Sequence, residues 1–148
     1  MIQKRMHNKL SKAAEYEARR IGNRVQERYL CRGRIPKEND YPAVAAACSS
    51  FFIPIIYLDH SRGARTQHIQ KQLLKALLKI GPINTKIKGC GNYIGHCAEQ
   101  HAANKLLQEQ KHSTVNDIFF GNAYRPRTGE YIPVCEICKD VFPTLNDK

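Results

Sequence analysis

The tightest constraint on this chain is a pair of cysteine-bearing segments placed where helices begin. In GHCAEQHAANKL, residues 95–106, Cys97 stands two residues before Glu99, with His96 and His101 on either side. Further on, PVCEIC sets Cys135 and Cys138 one helical turn apart at the start of a short helical stretch. Between the two lies NDIFFGNAY, residues 116–124, which reads as a strand. If the thiols meet, the fold must bring two helix N-termini to one point across that strand. If they do not, they are unrelated thiols in a small basic protein.

Zinc is the metal that such a set suits, because it prefers thiolate and imidazole ligands in a tetrahedron. A catalytic zinc takes three protein ligands and keeps the fourth position open. Cys135 and Cys138, at i and i+3 near a helix N-terminus, can grip one ion from one turn, and the helix terminus favours thiolate over thiol. Cys97 can supply a third sulfur. Glu99 is too close in sequence to Cys97 to share its face of a regular helix, so it can serve as a proton shuttle instead of a ligand. C-x-x-C alone is a moderate zinc signal and C-A-E is common by chance; their order, with a strand between them, is the stronger signal.

Charge points to the partner. The net charge is +11 at pH 7, and it is concentrated in two segments. Residues 1–34 hold ten Lys/Arg against three acids, and residues 62–88 hold seven against none. Such fields favour polyanions, nucleic acid above all. Each basic run alone reads equally as a solvated helix face. At 148 residues, 42% hydrophobic and 25% charged, the chain suits one ordinary globular domain. No apolar run approaches the roughly 18 residues needed to cross a bilayer, so no membrane partner is expected. Six cysteines without a secretory signal argue for thiols and metal ligands over a disulfide framework.

The periodicity predicts a helix over residues 3–30, then a loop through CRGRIPKENDYP. Strands are expected at 43–48 and 51–59, turned at Ser49–Ser50. SRGARTQHIQKQLLKALLKIG carries a helical stripe of Ile69, Leu73, Leu77 and Ile80, with Lys71, Lys75 and Lys79 opposite as a basic ridge that could track phosphates. Helices are expected at 97–110 and from Cys135, with YIPV a short extended piece before the last one.

HCAE followed by PVCEIC resembles the signature of the zinc-dependent cytidine deaminase-like superfamily, written H-x-E…P-C-x-x-C, with Cys97 in the place of the histidine. The setting, GNYIGHCAEQHAANKLL, a strand, then RPRTGEYIPVCEIC, is similar to deaminase domains of bacterial polymorphic toxins, including the YwqJ-like group. The likeness covers about residues 89–142. It implies an α/β fold: a three-layer α/β/α arrangement around a mixed sheet, with an N-terminal helix added. Residues 1–36 would form that basic helix and loop, and 37–148 the catalytic domain. Carried over by position, Cys97, Cys135 and Cys138 would hold one zinc ion per chain, and Glu99 would move protons. Two departures stand out. Pro133 lies two residues before Cys135 instead of next to it, and only ten residues follow Cys138, so the sheet is expected to be truncated or completed by an N-terminal element.

The resemblance further implies hydrolysis of an amidine C–N bond, converting cytosine to uracil in nucleic acid, with DNA favoured over RNA. The site of action would be cytoplasmic, the chain a delivered toxin part, and a cognate immunity protein its partner. Two other readings stay open: a deaminase of free cytidine or its nucleotides, and a nucleic-acid-binding module with a purely structural zinc. Glu99 argues against the last, since a structural site needs no acid there. Candidate substrate contacts are His96, Asn84, Asn92 and Tyr124. His96 is also an alternative ligand to Cys97, and both asparagines could simply serve turns. His101 reads as an ordinary helix residue. Cys31, Cys48 and Cys90 read as small buried apolar residues, although Cys90 could complete a closed four-thiolate site.

Overall fold

The computed structural model describes residues 2–87 and 91–146. A long helix, α1 (Ile2–Leu30), leads to strands β1 (Ala45–Ser50) and β2 (Tyr57–His60), then helices α2 (Lys71–Leu78) and α3 (Ala98–Glu109). The chain continues through β3 (Ile118–Phe120), β4 (Ala123–Tyr124) and β5 (Tyr131–Ile132) into α4 (Glu136–Val141). The order is therefore mixed α/β, with a five-stranded sheet in which β1 lies between β2 on one side and β3 and β4 on the other.

β1 is buried along its whole length, and its alternate side chains face two different helical layers. Ala47 packs with Leu10 and Ala14 of α1, joined by Leu58 and Phe119. On the other face Cys48, Tyr57, Ile118 and Phe120 meet Leu106 and Leu107 of α3, Leu73 and Leu77 of α2, and Ile137 and Val141 of α4. Small residues let α3 enter close to the sheet, where Ala98 touches Ala46 and Ala123. The result is a helix–sheet–helix sandwich in which α1 forms one outer layer.

Four expectations need correction. Every strand pairing among the described residues is antiparallel, so the sheet is not mixed. The β1–β2 turn is not at Ser49–Ser50. Both serines lie buried within β1, because Ser50 Oγ donates to Gln110 Oε1 at 2.5 Å and accepts from the Ile53 N–H at 3.2 Å. That satisfies the hydroxyl inside the sheet, and the turn moves to 51–56, leaving Phe51, Phe52, Ile53 and Ile55 exposed. The helix expected over 61–81 begins only at Lys71. Gln70 caps it, its Oε1 accepting from the N–H groups of Gln72 and Leu73, and residues 61–70 are loop apart from one 3-10 turn at Thr66–His68. Cys31 is exposed, whereas Cys48 is buried as expected. Cys90 lies outside the described residues.

The strand expected at 116–124 is split into two. Cys48 pairs with Phe120 and Ala45 with Tyr124, so three steps along β1 face four along its partner, which is a bulge at Gly121–Asn122. Only glycine fits there: a Cβ on Gly121 would lie 2.2 Å from the Ser11 backbone nitrogen. Ser11 Oγ then accepts from the Asn122 N–H at 2.8 Å, tying α1 to the bulge. Beyond α4 the chain makes one 3-10 turn, Pro143–Asn146, whose Leu145 closes the core under Phe142.

Candidate metal centre and its cleft

Two helix starts deliver the thiols. Cys97 is the N-cap residue of α3 and Cys135 that of α4, and Cys138 lies in the first turn of α4. Their Sγ atoms all lie within 4.8 Å of one another, with Cys97 and Cys135 at 3.1 Å. Among the described residues this is the one group of three or more His, Cys, Asp or Glu close enough to share an ion. Zinc bonded to thiolates at about 2.3 Å spaces its sulfurs by roughly 4 Å, the scale of this cluster, so the residues present fit that ion.

The electrostatics favour one sulfur anion at this point, on Cys135. The Cys135 thiol is drawn down to about 3, first by hydrogen bonds from Cys138 and Cys97 and then, against burial, by the N–H groups of Cys138 and Ile137. Cys97 and Cys138 move the other way, chiefly because each gives its proton to Cys135. A divalent cation replaces shared protons of this kind and leaves all three sulfurs as thiolates. Behind them, Gln100 is buried and its Nε2 donates to Cys138 Sγ at 3.5 Å.

Cys97, Glu99 and Cys135 open onto one cleft of about 360 Å³. Glu99 is 95% buried, and burial raises its carboxyl to about 7, its own backbone N–H opposing and Cys135 adding to the rise. Tyr41, Val44, Arg62, Asn92, Tyr93, Ile132 and Pro133 wall the rest. The cleft is thus apolar and aromatic around a carboxyl that can hold or release a proton near neutral pH.

Gly95 aims the motif. It has φ +90, and a Cβ there would stand 3.1 Å from Ala64 Cβ and 3.3 Å from Ile83 Cγ2. His96 follows, stacked on Tyr93 and donating from Nε2 to Asn84 Oδ1 at 2.7 Å. Burial lowers the pKa of His96, in keeping with a neutral ring. Asn84, itself at φ 68, also accepts from the Ala64 N–H and donates to the Ala64 carbonyl. Asn84 therefore braces the wall through His96, and it is not itself among the cleft's lining residues.

The structure brings Cys97, Glu99, Cys135, Cys138, His96 and Asn92 together. It does not bring Tyr124, which packs beside Leu10, Ala14 and Ala47 on the α1 face. Lys71 and Lys75 are exposed on α2, and Lys79 is exposed at its C-cap. His101 is not a bystander, since its Nε2 donates to the Arg62 carbonyl at 2.9 Å. Sequence reasoning misses Gln100, although its i+3 spacing from Cys97 puts it on the sulfur's side of α3. Arg62, Tyr41 and Ile132 reach the cleft only through the tertiary fold, and no local pattern marks them. A second cleft of about 400 Å³, lined by His7 and Phe119, lies on the α1 face and contains none of the thiols. Comparison with protein families, characterised proteins and solved structures gave no match.

Proposed function

We propose that this chain is a zinc-dependent hydrolytic deaminase that converts cytosine to uracil in nucleic acid, the activity implied by the resemblance of its HCAE and PVCEIC segments to cytidine deaminase-like enzymes. One observation carries the reading: two of the three clustered sulfurs, Cys97 and Cys135, open onto a single cleft together with a buried carboxyl whose pKa is raised to about 7. A structural zinc site has no use for that carboxyl, whereas a hydrolase needs a group that takes and returns protons at working pH.

Cys97, Cys135 and Cys138 would hold the zinc, and Gln100 would support the Cys138 sulfur. When bound, zinc supplies a Lewis acid that makes water a nucleophile near neutral pH. Glu99 accepts a proton from the attacking water and delivers protons to ring N3 and the departing amino group. Water adds at C4, ammonia leaves, and uracil remains. The aromatic and apolar wall of Tyr93, Val44 and Ile132 suits a planar base and keeps bulk water from the carboxyl. Because C4 is stacked and paired in a duplex, the substrate base must be single-stranded or flipped out.

The two basic segments support a polymer over a free nucleoside. The test is to incubate zinc-loaded protein with cytosine- and adenine-containing DNA and RNA oligonucleotides and with free cytidine, mapping C-to-U and A-to-I changes. Cytosine conversion in an oligonucleotide, above that of cytidine, is the expected result. Turnover of cytidine alone favours the free-nucleoside reading, and no turnover of any substrate defeats the proposal.

A further inference from the structure

The cleft does not end at Arg62. A second concave surface of about 270 Å³ begins on the other side of that residue, lined by Gly63, Arg65, His68, His101 and Asn104 among others. Arg62 lines both. Among the described residues, no acidic one lines the second groove.

The loop that forms it, residues 61–70, is held in place by one polar stripe of α3. His101 donates to the Arg62 carbonyl at 2.9 Å, and Asn104 accepts from the Gln70 N–H and donates to the His68 carbonyl. Gln108 Nε2 also donates to the His68 carbonyl, and Lys105 Nζ donates to the Leu58 carbonyl at 2.8 Å. These four residues recur at three- and four-residue spacing along a single helix face. From the cleft side, the Arg62 N–H donates to the His96 carbonyl and Ala64 is held by Asn84. The same loop is thus pinned both to the metal-bearing helix and to the cleft wall.

What this loop presents is positive charge. Asp59 is buried between two cations, Arg62, which grips it through both carboxylate oxygens, and Lys105 at 3.4 Å. Two cations against one anion leave an excess at the rim. The side chains of Arg65 and His68 are exposed and form no ion pair among the described residues. Past His68 the chain enters α2, where Lys71 and Lys75 stand exposed.

We infer that the Arg62–Arg65–His68 groove is a phosphate-binding subsite, taking the backbone of a single-stranded nucleic acid whose neighbouring base occupies the cysteine cleft. The inference rests on the base-binding role proposed for that cleft, but the groove's affinity for phosphate can be read without turnover. A pinned backbone with the free Arg65 guanidinium and the exposed His68 ring meets an anion without having to order the loop first, which is how a group that fixes register keeps its affinity. Phosphate could also come from a free nucleotide, which would reach the groove only as far as one residue beside the cleft.

Binding of a fluorescent cytosine-containing single-stranded oligonucleotide and of cytidine monophosphate is compared in the wild-type chain, Arg65→Gln, and the double variant Arg65→Glu with His68→Ala. Both positions are exposed, and thermal melts confirm that each variant is folded. The double variant is expected to bind the oligonucleotide about tenfold more weakly at low salt, and the slope of log affinity against log salt should fall by roughly 0.7 for each phosphate no longer neutralised. Arg65→Gln should show part of that weakening. Unchanged affinity and slope overturn the inference. So does weakening confined to cytidine monophosphate, which assigns the groove to a free nucleotide. Wild-type chain that binds in this way but converts no base keeps the groove and removes the deaminase reading; oligonucleotide turnover with unaltered binding in the double variant does the reverse.

Discussion

The Sγ atoms of Cys97 and Cys135 lie 3.1 Å apart although 38 positions separate them in the chain, and each belongs to the N-cap residue of its own helix. The relationship follows from packing. Ala98 meets Ala46 and Ala123 at the sheet, and Ile137 and Val141 of α4 share a core with Leu106 and Leu107 of α3. Small residues at the start of α3 and aliphatic ones along both helices bring the two termini together. The thiols are therefore held by the core.

Replacing both Cys135 and Cys138 with serine should abolish stoichiometric zinc binding, because two of the three sulfurs are removed and hydroxyls are poor zinc ligands. The wild type should carry one zinc per chain by elemental analysis. Its melting temperature should fall on chelation, since metal that binds only the folded state adds its binding free energy to folding. Full zinc occupancy in the double variant contradicts the ligand assignment.

Gln100→Leu keeps the side-chain volume roughly constant and removes the donor to Cys138 Sγ. Loss of an outer-shell hydrogen bond of this kind costs about 10-fold or more in metal affinity. A competition titration against a zinc chelator reads that change directly. An unchanged affinity makes Gln100 a packing residue only.

Gly95→Ala should destabilise the chain by about 1–3 kcal/mol, because the residue must hold a positive φ and its Cβ meets Ala64 and Ile83. Denaturant unfolding measures the loss. As His96 and Cys97 follow directly, zinc affinity should fall with stability, whereas Gly63→Ala, where a Cβ meets nothing, should alter neither by a comparable amount.

Asp59 gives a pH signature away from the cysteine cluster. Burial alone would raise its pKa, but the Arg62 side chain, the His60 N–H and Lys105 outweigh that, and the carboxyl sits below its ordinary value. The folded state therefore binds the proton less readily than the unfolded state. The stabilisation is complete above the ordinary carboxylate range and is lost as pH falls through the folded pKa. Asp59→Asn should lower the melting temperature at pH 7, an effect of about 1–3 kcal/mol, and should flatten the loss of stability on acidification. Equal acid sensitivity in the variant and the wild type contradicts this account.

The meeting of the three cysteines beside Glu99 was legible in the sequence, and most of the cleft's walls were not. Cys97, Cys135 and Cys138 stand out because a thiolate site for a metal would demand those residue types near helix starts, Glu99 because an acid stands two residues after Cys97, and α1 follows from its periodicity. The loop at 61–70 misleads because Ile69, Leu73, Leu77 and Ile80 continue a helical stripe upstream of the true start. Tertiary bonds from His101, Asn104 and Gln108 hold that segment open, and hydrogen bonds of this kind leave no local periodic mark. Ser49 and Ser50 read as a turn because serine favours turns; inside β1 their hydroxyls find Gln110 and the Ile53 backbone instead. The bulge at Gly121 depends on how closely α1 approaches, which no window of the strand's own sequence contains.

Glu99 decides between a catalytic and a structural zinc, since the thiols alone serve either equally well. The measurement is a paired one: zinc content and cytosine-to-uracil conversion in an oligonucleotide, for the wild type and for Glu99→Gln, on the same preparations. Catalysis through Glu99 predicts one zinc per chain in both, closely similar melting temperatures, conversion by the wild type, and a rate reduced by about 10²-fold or more in the variant. Conversion by Glu99→Gln near the wild-type rate, or no conversion by zinc-loaded wild type, would contradict it.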